Sequence, residues 1–352
     1  MKIALTGFGS YLPKIKTTNE DFLHHEFLNQ DGKKFEQSNT VIIEKFQAIT
    51  GIEERRYAKP EFKTSDLGYF AAQKAIEDAS IDKESIDYII FAHNFGDLST
   101  NTIQGDTLPS LATRVKHKLE IKNPNCVAYD MIFGCPGWVE SVIQAYAFIK
   151  SEMAKTCLVI GGETLSRIVD EHDRDSMIFA DGAGAAIVQA VEDGGAILAH
   201  ASKTFANGQA YSLYFGETFD QTDQSNTQYI KMNGRRVFEF ACVQVPQAMK
   251  ECLDKSGVTI DQVKKIFIHQ ANEKMDAAII KRFYKLYQKE APENIMPMMI
   301  QKTGNSSVAT IPTLYDLVKR NQFEEHQINK GDIVLFASVG AGMNVNCMVY
   351  KI

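Results

Sequence analysis

The most informative segment of the chain is residues 133–138, where Cys135 lies between small residues that break regular structure. Pro136 follows it, and proline suits the first position of a helix because its missing N–H would be unpaired there. We therefore predict that the apolar stretch 138–149 is a helix that starts beside this cysteine. A thiol at a helix N-terminus lies at the positive end of the peptide dipoles, which favours the thiolate. The segment predicts a nucleophile, although free cysteines are also common as buried core residues.

Two other polar residues occur where folds commonly present reactive groups. His269 follows the apolar run 266–268, so its imidazole is expected at the carboxyl end of a strand. Asn305 follows Gly304 in a turn just before a helical stretch. Taken singly, His269 is compatible with a core or surface histidine, and Asn305 with a helix cap. Together with Cys135 they are candidates for catalysis.

The composition excludes several classes of function. The chain has 352 residues, 44% of them hydrophobic and 23% charged, which is typical of a globular protein with two domains or one duplicated domain. Its net charge of −6 argues against nucleic acid as a partner, and its apolar runs are too short to span a membrane. Six cysteines are dispersed without CxxC spacing, so we predict neither a disulfide framework nor a metal site. We expect a cytoplasmic protein with reduced thiols.

A faint internal repeat divides the sequence. A helical stretch followed by an apolar strand occurs twice, with the strands at 88–91 and 265–268 and an offset of 177 residues. Two similar α/β halves explain this repeat better than chance, and we place them at 1–185 and 186–352. If the halves are related by pseudo-symmetry, equivalent loops meet near the centre. Cys135 of the first half would then face polar residues that end strands of the second.

These residues resemble the Cys-His-Asn triad of the 3-oxoacyl-[acyl-carrier-protein] synthase III family: Cys135 in its turn, His269 in His-Gln-Ala-Asn, and Asn305 in Gly-Asn-Ser-Ser. The resemblance covers nearly the whole chain. Further matching segments are 7–13, 50–55, 166–174, 179–185 and 340–343. The resemblance implies a thiolase-like α/β fold in which two pseudo-symmetric halves form a five-layered αβαβα arrangement, and it also implies a homodimer. The implied reaction is decarboxylative Claisen condensation of coenzyme A or phosphopantetheine thioesters, without a permanently bound cofactor.

The resemblance also assigns roles to individual residues. Cys135 would attack an acyl thioester and hold the acyl group, with the N–H groups of Cys135 and Ala341 as an oxyanion hole. His269 and Asn305 would donate hydrogen bonds to the thioester carbonyl of a malonyl-type extender, where enolate charge develops as carbon dioxide leaves. This role requires a proton on the His269 nitrogen that faces the substrate.

The chain departs from the family where coenzyme A would bind. At the positions of a tryptophan and an arginine that hold the adenine in bacterial members, this chain has Lys45 and Ile49, whereas Arg174 is retained. We therefore expect an acyl carrier protein as the donor, with acyl-coenzyme A as the alternative. Because a carrier protein is acidic, its docking face should be basic, although the same residues are also compatible with a solvated helix surface. The candidates for binding substrate or carrier are Arg174, Arg235, Asn272, Lys274, Lys281 and Arg282.

The acyl pocket is expected to differ as well. Leu108 occupies the place of an aromatic residue that reaches into the partner subunit's pocket in the family, and the smaller leucine would admit a medium or long chain. Phe133 and Trp138 are bulky residues beside the nucleophile, so we predict that they also line the pocket and oppose that effect. The chain length therefore stays open.

Several alternatives use the same residues. A thiolase is disfavoured because its second essential cysteine is expected near residues 340–342, which are Gly-Ala-Gly here. A head-to-head or hydroxymethylglutaryl-coenzyme-A-synthase-like enzyme needs a further catalytic glutamate, for which Glu140 and Glu163 are near in sequence. An acyltransferase that forms no carbon–carbon bond and an inactive subunit of a heterodimeric ketosynthase are further alternatives. We interpret the chain as a stand-alone ketosynthase of fatty-acid or specialised lipid and polyketide biosynthesis.

Overall fold

The computed structural model of the protein describes residues 2–100, 102–323 and 325–352. The described residues form eight α-helices: α1 (Asn39–Thr50), α2 (Thr64–Ala79), α3 (Leu111–Lys118), α4 (Gly137–Lys150), α5 (Gly234–Ser256), α6 (Glu273–Lys285), α7 (Ile300–Thr303) and α8 (Thr310–Lys319). They also form fifteen β-strands: β1 (Lys2–Tyr11), β2 (Ile15–Thr18), β3 (Glu54–Tyr57), β4 (Tyr88–Ala92), β5 (Asp97–Ser99), β6 (Thr102–Asp106), β7 (Val127–Met131), β8 (Thr156–Thr164), β9 (Asp181–Val191), β10 (Ala196–Thr204), β11 (Leu213–Glu217), β12 (Gln228–Met232), β13 (Val263–Ile268), β14 (Ile333–Gly340) and β15 (Asn344–Lys351). None of the described helices is both long and apolar enough to cross a bilayer.

The first sheet has five strands in the order β1-β9-β8-β4-β7. β4 pairs in parallel with β7 and β8, whereas β9 runs antiparallel to β8 and β1. The central strands are largely apolar along their length because both faces of this sheet are covered. α2 and α3 cover the outer face and enclose an apolar core with it.

The second sheet has four strands in the order β10-β15-β14-β13, with β13 and β14 parallel. α5 lies on its outer face and packs against α6. β8 begins at Thr156 and β14 begins at Ile333, 177 residues later. β8 pairs in parallel with β4 in the first sheet, and β14 pairs in parallel with β13 in the second. The offset in the sequence therefore corresponds to a repeat in the structure.

The helices α4 and α8 form the layer between the two sheets. α4 contacts strands of both sheets, and α8 contacts β1, β9 and β13. The core of this layer includes the packed rings of Trp138, Tyr315 and Phe336. The order of layers is therefore helix, sheet, helix, sheet, helix. This arrangement confirms the predicted α/β class and its five αβαβα layers.

The boundary between the halves differs from the prediction. β9 pairs with β1 and β8 along its whole length, so a division after residue 185 falls inside a strand of the first sheet. The chain passes to the second sheet between Val191 and Ala196. The small residues of β9 indicate close packing: a Cβ atom on Gly184 would lie 2.7 Å from the ring of Pro312 in α8. They do not mark the end of a domain.

Candidate active site

Cys135 lies in a tight turn between the end of β7 and the start of α4. Gly134 has a φ of +67°, in the left-handed region that favours glycine. Pro136 has a helical φ of −66° but precedes the first residue of α4, Gly137, so it caps the helix instead of occupying its first position. The thiol is half-buried. Its predicted place at a helix start is confirmed, while the other five cysteines are buried as expected.

The turn packs directly against the glycine-rich loop that follows β14. A Cβ atom on Gly340 would lie 2.5 Å from the amide nitrogen of Cys135. A Cβ atom on Gly134 would lie 2.7 Å from the amide nitrogen of Ala341. The Nδ2 of Asn344 holds the two segments together, because it donates to a carbonyl of each, at 2.9 and 3.3 Å. The two amides expected to form an oxyanion hole therefore lie on segments whose backbones touch.

We predict that Gly340→Ala reduces acylation of Cys135 by about 10²–10³-fold, the usual cost of losing one oxyanion-hole donor. A methyl group cannot fit 2.5 Å from a backbone nitrogen, so the two segments must separate. The rate of acyl-enzyme formation, followed by intact-mass measurement, tests this expectation. Gly182→Ala is the matched control, since its backbone is outside the left-handed region and the added methyl group would meet no atom closer than 3.5 Å. An unchanged acylation rate in Gly340→Ala would contradict the assignment.

His269 lies directly after β13, as the sequence predicts. Its backbone N–H donates to the carbonyl of Ala337 on β14 at 2.9 Å, which fixes the residue at the carboxyl edge of the second sheet. The side chain is only 3% exposed. This burial lowers the pKa of His269 to about 4, so the imidazole is neutral at physiological pH and carries a single N–H.

Asn305 is fixed by hydrogen bonds to the segment before β9. Its N–H donates to the carbonyl of Ile178 at 2.9 Å, and its carbonyl accepts from the N–H of Ala180 at 2.8 Å. The side-chain Oδ1 accepts from the N–H of Ser307 at 2.8 Å. Because Oδ1 is engaged in this way, the Nδ2 group of Asn305 is the end left to donate to a ligand.

A cavity of about 210 Å³ brings these three residues together. Its wall contains Cys135 from the first half and His269 and Asn305 from the second. Most of the remaining wall is apolar, including Phe95, Leu165, Phe179, Leu213, Phe215 and Ile230. An apolar cavity beside a thiol and two hydrogen-bond donors is suited to an acyl thioester.

The environment of the thiol opposes ionisation. Removal from water raises the pKa of Cys135 to about 11. The Ser307 hydroxyl donates to Sγ at 3.2 Å and partly offsets this effect, whereas Glu163 adds to it when its carboxyl group is ionised. Burial of the thiol therefore opposes the thiolate that a helix start was expected to favour.

Two residues expected in the acyl pocket lie outside the cavity wall. Trp138 is 1% exposed and packs against Phe336 in the central layer, because the first turn of α4 faces the core between the sheets. Phe133 is half-buried, but its neighbours Ile132 and Gly134 line the cavity in its place. Both assignments were wrong for this cavity.

Leu108, the third residue expected in the acyl pocket, projects away from this cavity. It lies on the loop before α3 and is 88% exposed. It is absent from the described cavity wall of its own chain.

The cavity wall also contains two polar residues, Asn94 and Ser307, that we did not predict from the sequence. Asn94 lies just after β4, the strand equivalent to β13, so the internal repeat could have identified its position. Ser307 has a φ of +52°, which is uncommon for a residue other than glycine. No pattern in the sequence indicates that conformation.

A second cleft, of about 440 Å³, adjoins the first cavity. The two share the wall residues Ile178, Met232, Val237, Ala271 and Met275, so the second cleft lies directly beside the cavity that contains Cys135. Three residues predicted to bind substrate or carrier line this cleft: Arg174, Arg235 and Asn272. Lys45 and Ile49, which replace the family's adenine-binding residues, line it as well. The structure thus groups three of the six binding candidates at the approach to the thiol.

The other three candidates, Lys274, Lys281 and Arg282, are exposed on α6 but do not line the described cleft. Arg282 also has a structural contact, since its Nη1 donates to the carbonyl of Cys242 on α5 at 3.0 Å. Asn272 caps α6, because its Oδ1 accepts from the N–H of Met275 at 3.0 Å. Lys274 and Lys281 are therefore the better candidates for a docking surface.

The five-layered fold, with a cysteine, a histidine and an asparagine around one apolar cavity, defines a condensing enzyme of the thiolase-fold class. Family models describe the match more closely. Residues 129–207 match the model of 3-oxoacyl-[acyl-carrier-protein (ACP)] synthase III, and residues 253–352 match the model of its C-terminal part.

Whole-length relatives agree with the family models. The chain is 34% identical over 339 residues to beta-ketoacyl-[acyl-carrier-protein] synthase III 1 of Vibrio vulnificus (strain YJ016), with 96% of each chain covered. It is 32% identical to beta-ketoacyl-[acyl-carrier-protein] synthase III of Erythrobacter litoralis (strain HTCC2594), with 97% of each covered. The crystal structure of 3-oxoacyl-[acyl-carrier-protein] synthase III from Aquifex aeolicus VF5 aligns with a TM-score of 0.81 at 30% identity, covering 99% of this chain and 100% of that one.

The chain therefore belongs to the 3-oxoacyl-[acyl-carrier-protein] synthase III family. It is a ketosynthase, an acyltransferase-type condensing enzyme with a thiolase-like fold. Enzymes of this family use acyl thioesters and need no permanent cofactor.

Proposed function

We propose that the chain is a stand-alone ketosynthase that loads an acyl group onto Cys135 and extends it by decarboxylative condensation with a malonyl-type carrier-protein thioester. A 3-oxoacyl-type carrier-protein thioester, the alternative extender, has no carboxylate to lose and would have to condense without decarboxylation. The strongest support is the wall of the apolar cavity, which contains the thiol and two fixed hydrogen-bond donors, His269 and Asn305. Condensation needs a group that holds the acyl chain and groups that stabilise an enolate. We assign the reaction to fatty-acid or specialised lipid and polyketide biosynthesis.

In the first half-reaction, Sγ of Cys135 attacks the carbonyl carbon of the acyl thioester. A carbon–sulfur bond forms, and the negative charge of the tetrahedral intermediate lies on oxygen. The amides of Cys135 and Ala341 donate to that oxygen, and their segments are held together by close packing. The donor's sulfur then leaves as a thiol and takes the proton that Cys135 loses. The acyl chain occupies the apolar part of the cavity.

In the second half-reaction, the bond between the extender's carboxylate and its α-carbon breaks and carbon dioxide leaves. The electron pair becomes an enolate whose charge lies largely on the thioester oxygen. Neutral His269 and the Nδ2 group of Asn305 donate to that oxygen. The α-carbon then attacks the acyl carbonyl on Cys135, and the cysteine leaves and regains a proton.

We further propose that a carrier protein delivers the acyl group through the second cleft. The guanidinium of Arg174 lies over the ring of Phe35 at 5.3 Å. The cleft wall has Lys45 and Ile49 at the two positions where bacterial members have the tryptophan and the arginine that hold the adenine. A phosphopantetheine arm has no adenine to place there. Acyl-coenzyme A is the alternative donor and would use the same cleft.

Reversing the charge of two exposed lysines of α6 should weaken carrier docking. We expect Lys274→Glu with Lys281→Glu to raise the KM for malonyl-carrier protein about five- to tenfold at low salt, because rim charges act mainly through electrostatic attraction. Turnover at saturation and the KM for a malonyl-pantetheine fragment should not change. Lys150→Glu, at the far end of α4 from Cys135, is the matched control. An equal rise in KM for the fragment would show that these lysines do not act by docking.

We also propose that the active form is a homodimer joined along β7. This strand ends the first sheet, and the exposed side chains of Leu108 and Ile132 lie on the segments that flank it and α3. A second copy would cover this edge and bring its Leu108 toward the neighbouring cavity, which Ile132 lines. Sedimentation equilibrium measures this assembly directly.

A location in the cytoplasm stays a prediction, supported by six free thiols.

A donor competition tests the proposed function. The protein is given equal amounts of an acyl-coenzyme A and an acyl-carrier protein that carry the same chain with different isotopic labels, followed by malonyl-carrier protein. A 3-oxoacyl product that contains the carrier-derived label supports the proposal. A product that contains the label from coenzyme A supports the alternative donor. Transfer of the acyl group without chain extension would support the simple acyltransferase instead.

A further inference from the structure

The cavity contains a chain of hydrogen bonds that the proposed reaction does not use. Glu163 of β8 is fully buried, and its Oε1 accepts from both the backbone N–H and the Nδ2 of Asn94, at 2.8 and 2.6 Å. Nδ2 of Asn94 also donates to Oγ of Ser307 at 3.2 Å. The Ser307 hydroxyl in turn donates to Sγ of Cys135 at 3.2 Å. Four side chains thus connect a buried carboxyl group to the sulfur.

The direction of each hydrogen bond follows from the first one. Oε1 of Glu163 accepts both the backbone N–H and the NH₂ of Asn94, which places the hydrogen of the neutral carboxyl group on Oε2. That NH₂ also donates to Oγ of Ser307, which therefore acts as the acceptor in this contact. The single hydroxyl hydrogen of Ser307 is then left to point at Cys135.

The backbone of Ser307 has an unusual conformation that a neighbouring side chain stabilises. Its φ of +52° lies in the left-handed region, which is uncommon for serine and often marks functional sites. The N–H of Ser307 donates to Oδ1 of Asn305 at 2.8 Å, which stabilises this conformation. Both Asn94 and Ser307 line the cavity that contains the thiol.

We propose that Ser307 is a further catalytic residue whose hydroxyl stabilises the developing thiolate of Cys135, and that Asn94 and Glu163 are positioning residues that aim this hydroxyl at the sulfur. The inference rests on the proposed role of Cys135 as the nucleophile. The Ser307 hydroxyl favours the charged sulfur because a hydrogen bond to an ionised acceptor is stronger than one to a neutral acceptor. It thereby opposes the desolvation that raises the pKa of Cys135.

The charge of Glu163 matters because it acts on the same sulfur. Burial raises the pKa of Glu163 to about 8, and Asp181 of β9 adds to this effect, so the carboxyl group is largely neutral at physiological pH. A neutral Glu163 still accepts from Asn94 but places no negative charge near the thiolate. Once it ionises above about pH 8, it disfavours the thiolate. Besides Cys135, the titratable side chains in the described cavity wall are His269 and Tyr214, and His269 is already neutral across this range.

The test is the pH dependence of alkylation of Cys135 by iodoacetamide, with the modified residue identified by peptide mass. This reaction needs neither an acyl donor nor an extender, so its result does not depend on the ketosynthase assignment. Ser307→Ala should reduce the rate at neutral pH about tenfold, which corresponds to one pKa unit of the thiol. Ser10→Ala is the matched control, because it removes a buried hydroxyl that bonds to Asp316 instead, at 2.6 Å.

Variants of Glu163 and Asn94 distinguish a role in orienting the Ser307 hydroxyl from a role in packing alone. Glu163→Gln keeps an oxygen for Asn94 and stays neutral, so it should match the wild type at neutral pH and react faster above about pH 8. Glu163→Ala releases Asn94 and should lower the neutral rate toward that of Ser307→Ala. Adding Asn94→Ala to Ser307→Ala should have no further effect, since Asn94 acts through the hydroxyl.

A wild-type profile in Ser307→Ala would overturn the proposal for all three residues. If that variant does not fold, Glu163→Ala and Glu163→Gln decide the matter by themselves. Identical profiles for the wild type and both glutamate variants would then overturn it. A rate in the double variant well below that of Ser307→Ala would show that Asn94 acts on the cavity by another route and would overturn its assigned role.

Discussion

Cys135→Ala should lose acylation entirely and reduce condensation by at least about 10⁴-fold, the scale seen when a catalytic nucleophile is removed. The variant has no atom to which the acyl group can be bound, and none of the other five cysteines can substitute because all are buried. The measurement pairs intact mass after exposure to an acyl donor with the rate of 3-oxoacyl product formation. Cys242→Ala, in α5, is the matched control and should acylate normally. Residual acylation of Cys135→Ala would place the nucleophile elsewhere.

Asn305→Ala and His269→Ala should each separate the two half-reactions. We expect His269→Ala to acylate Cys135 at close to the normal rate, and Asn305→Ala to lose at most about tenfold in acylation because it releases the N–H of Ser307. Both variants should release carbon dioxide from malonyl-carrier protein about 10²–10³-fold more slowly, because a donor to the enolate oxygen is lost. The separation follows from the geometry. The acylation step relies on the backbone amides of Cys135 and Ala341, whereas Asn305 and His269 contribute side-chain donors to the cavity wall.

Asn305→Asp is the sharper variant for the same prediction. An aspartate can still accept the N–H of Ser307 through one oxygen, so the local backbone should persist. Its second oxygen has no hydrogen at neutral pH and cannot donate to the enolate. We therefore expect Asn305→Asp to decarboxylate as poorly as Asn305→Ala. Normal carbon dioxide release by either variant would show that Asn305 does not stabilise the enolate.

The residues of the triad could be predicted because each is marked by a local signal. Cys135 lies between breakers, His269 ends an apolar strand, and Asn305 follows a glycine turn. The internal repeat then indicated that loops of the two halves meet, and the cavity wall contains all three residues. The five-layered fold followed from the same repeat together with the resemblance.

The parts that could not be predicted depend on contacts between distant segments. Trp138 is next to the turn in sequence, but the direction of its ring is set by Phe336 on β14. The raised pKa of Cys135 reflects burial by both halves, which no local motif encodes. Ser307 reaches the sulfur only through a left-handed backbone conformation stabilised by Asn305. Each outcome requires the assembled central layer.

The most direct test of the central claim is a pulse–chase experiment on Cys135. The protein is loaded with an acyl thioester, freed of excess donor, and then given malonyl-carrier protein while intact mass, carbon dioxide and carrier-bound product are followed together. We expect the acyl mass on Cys135 to disappear with release of one equivalent of carbon dioxide and appearance of one equivalent of 3-oxoacyl-carrier protein. Loss of the acyl group without carbon dioxide, or an acyl-Cys135 that persists, would contradict it.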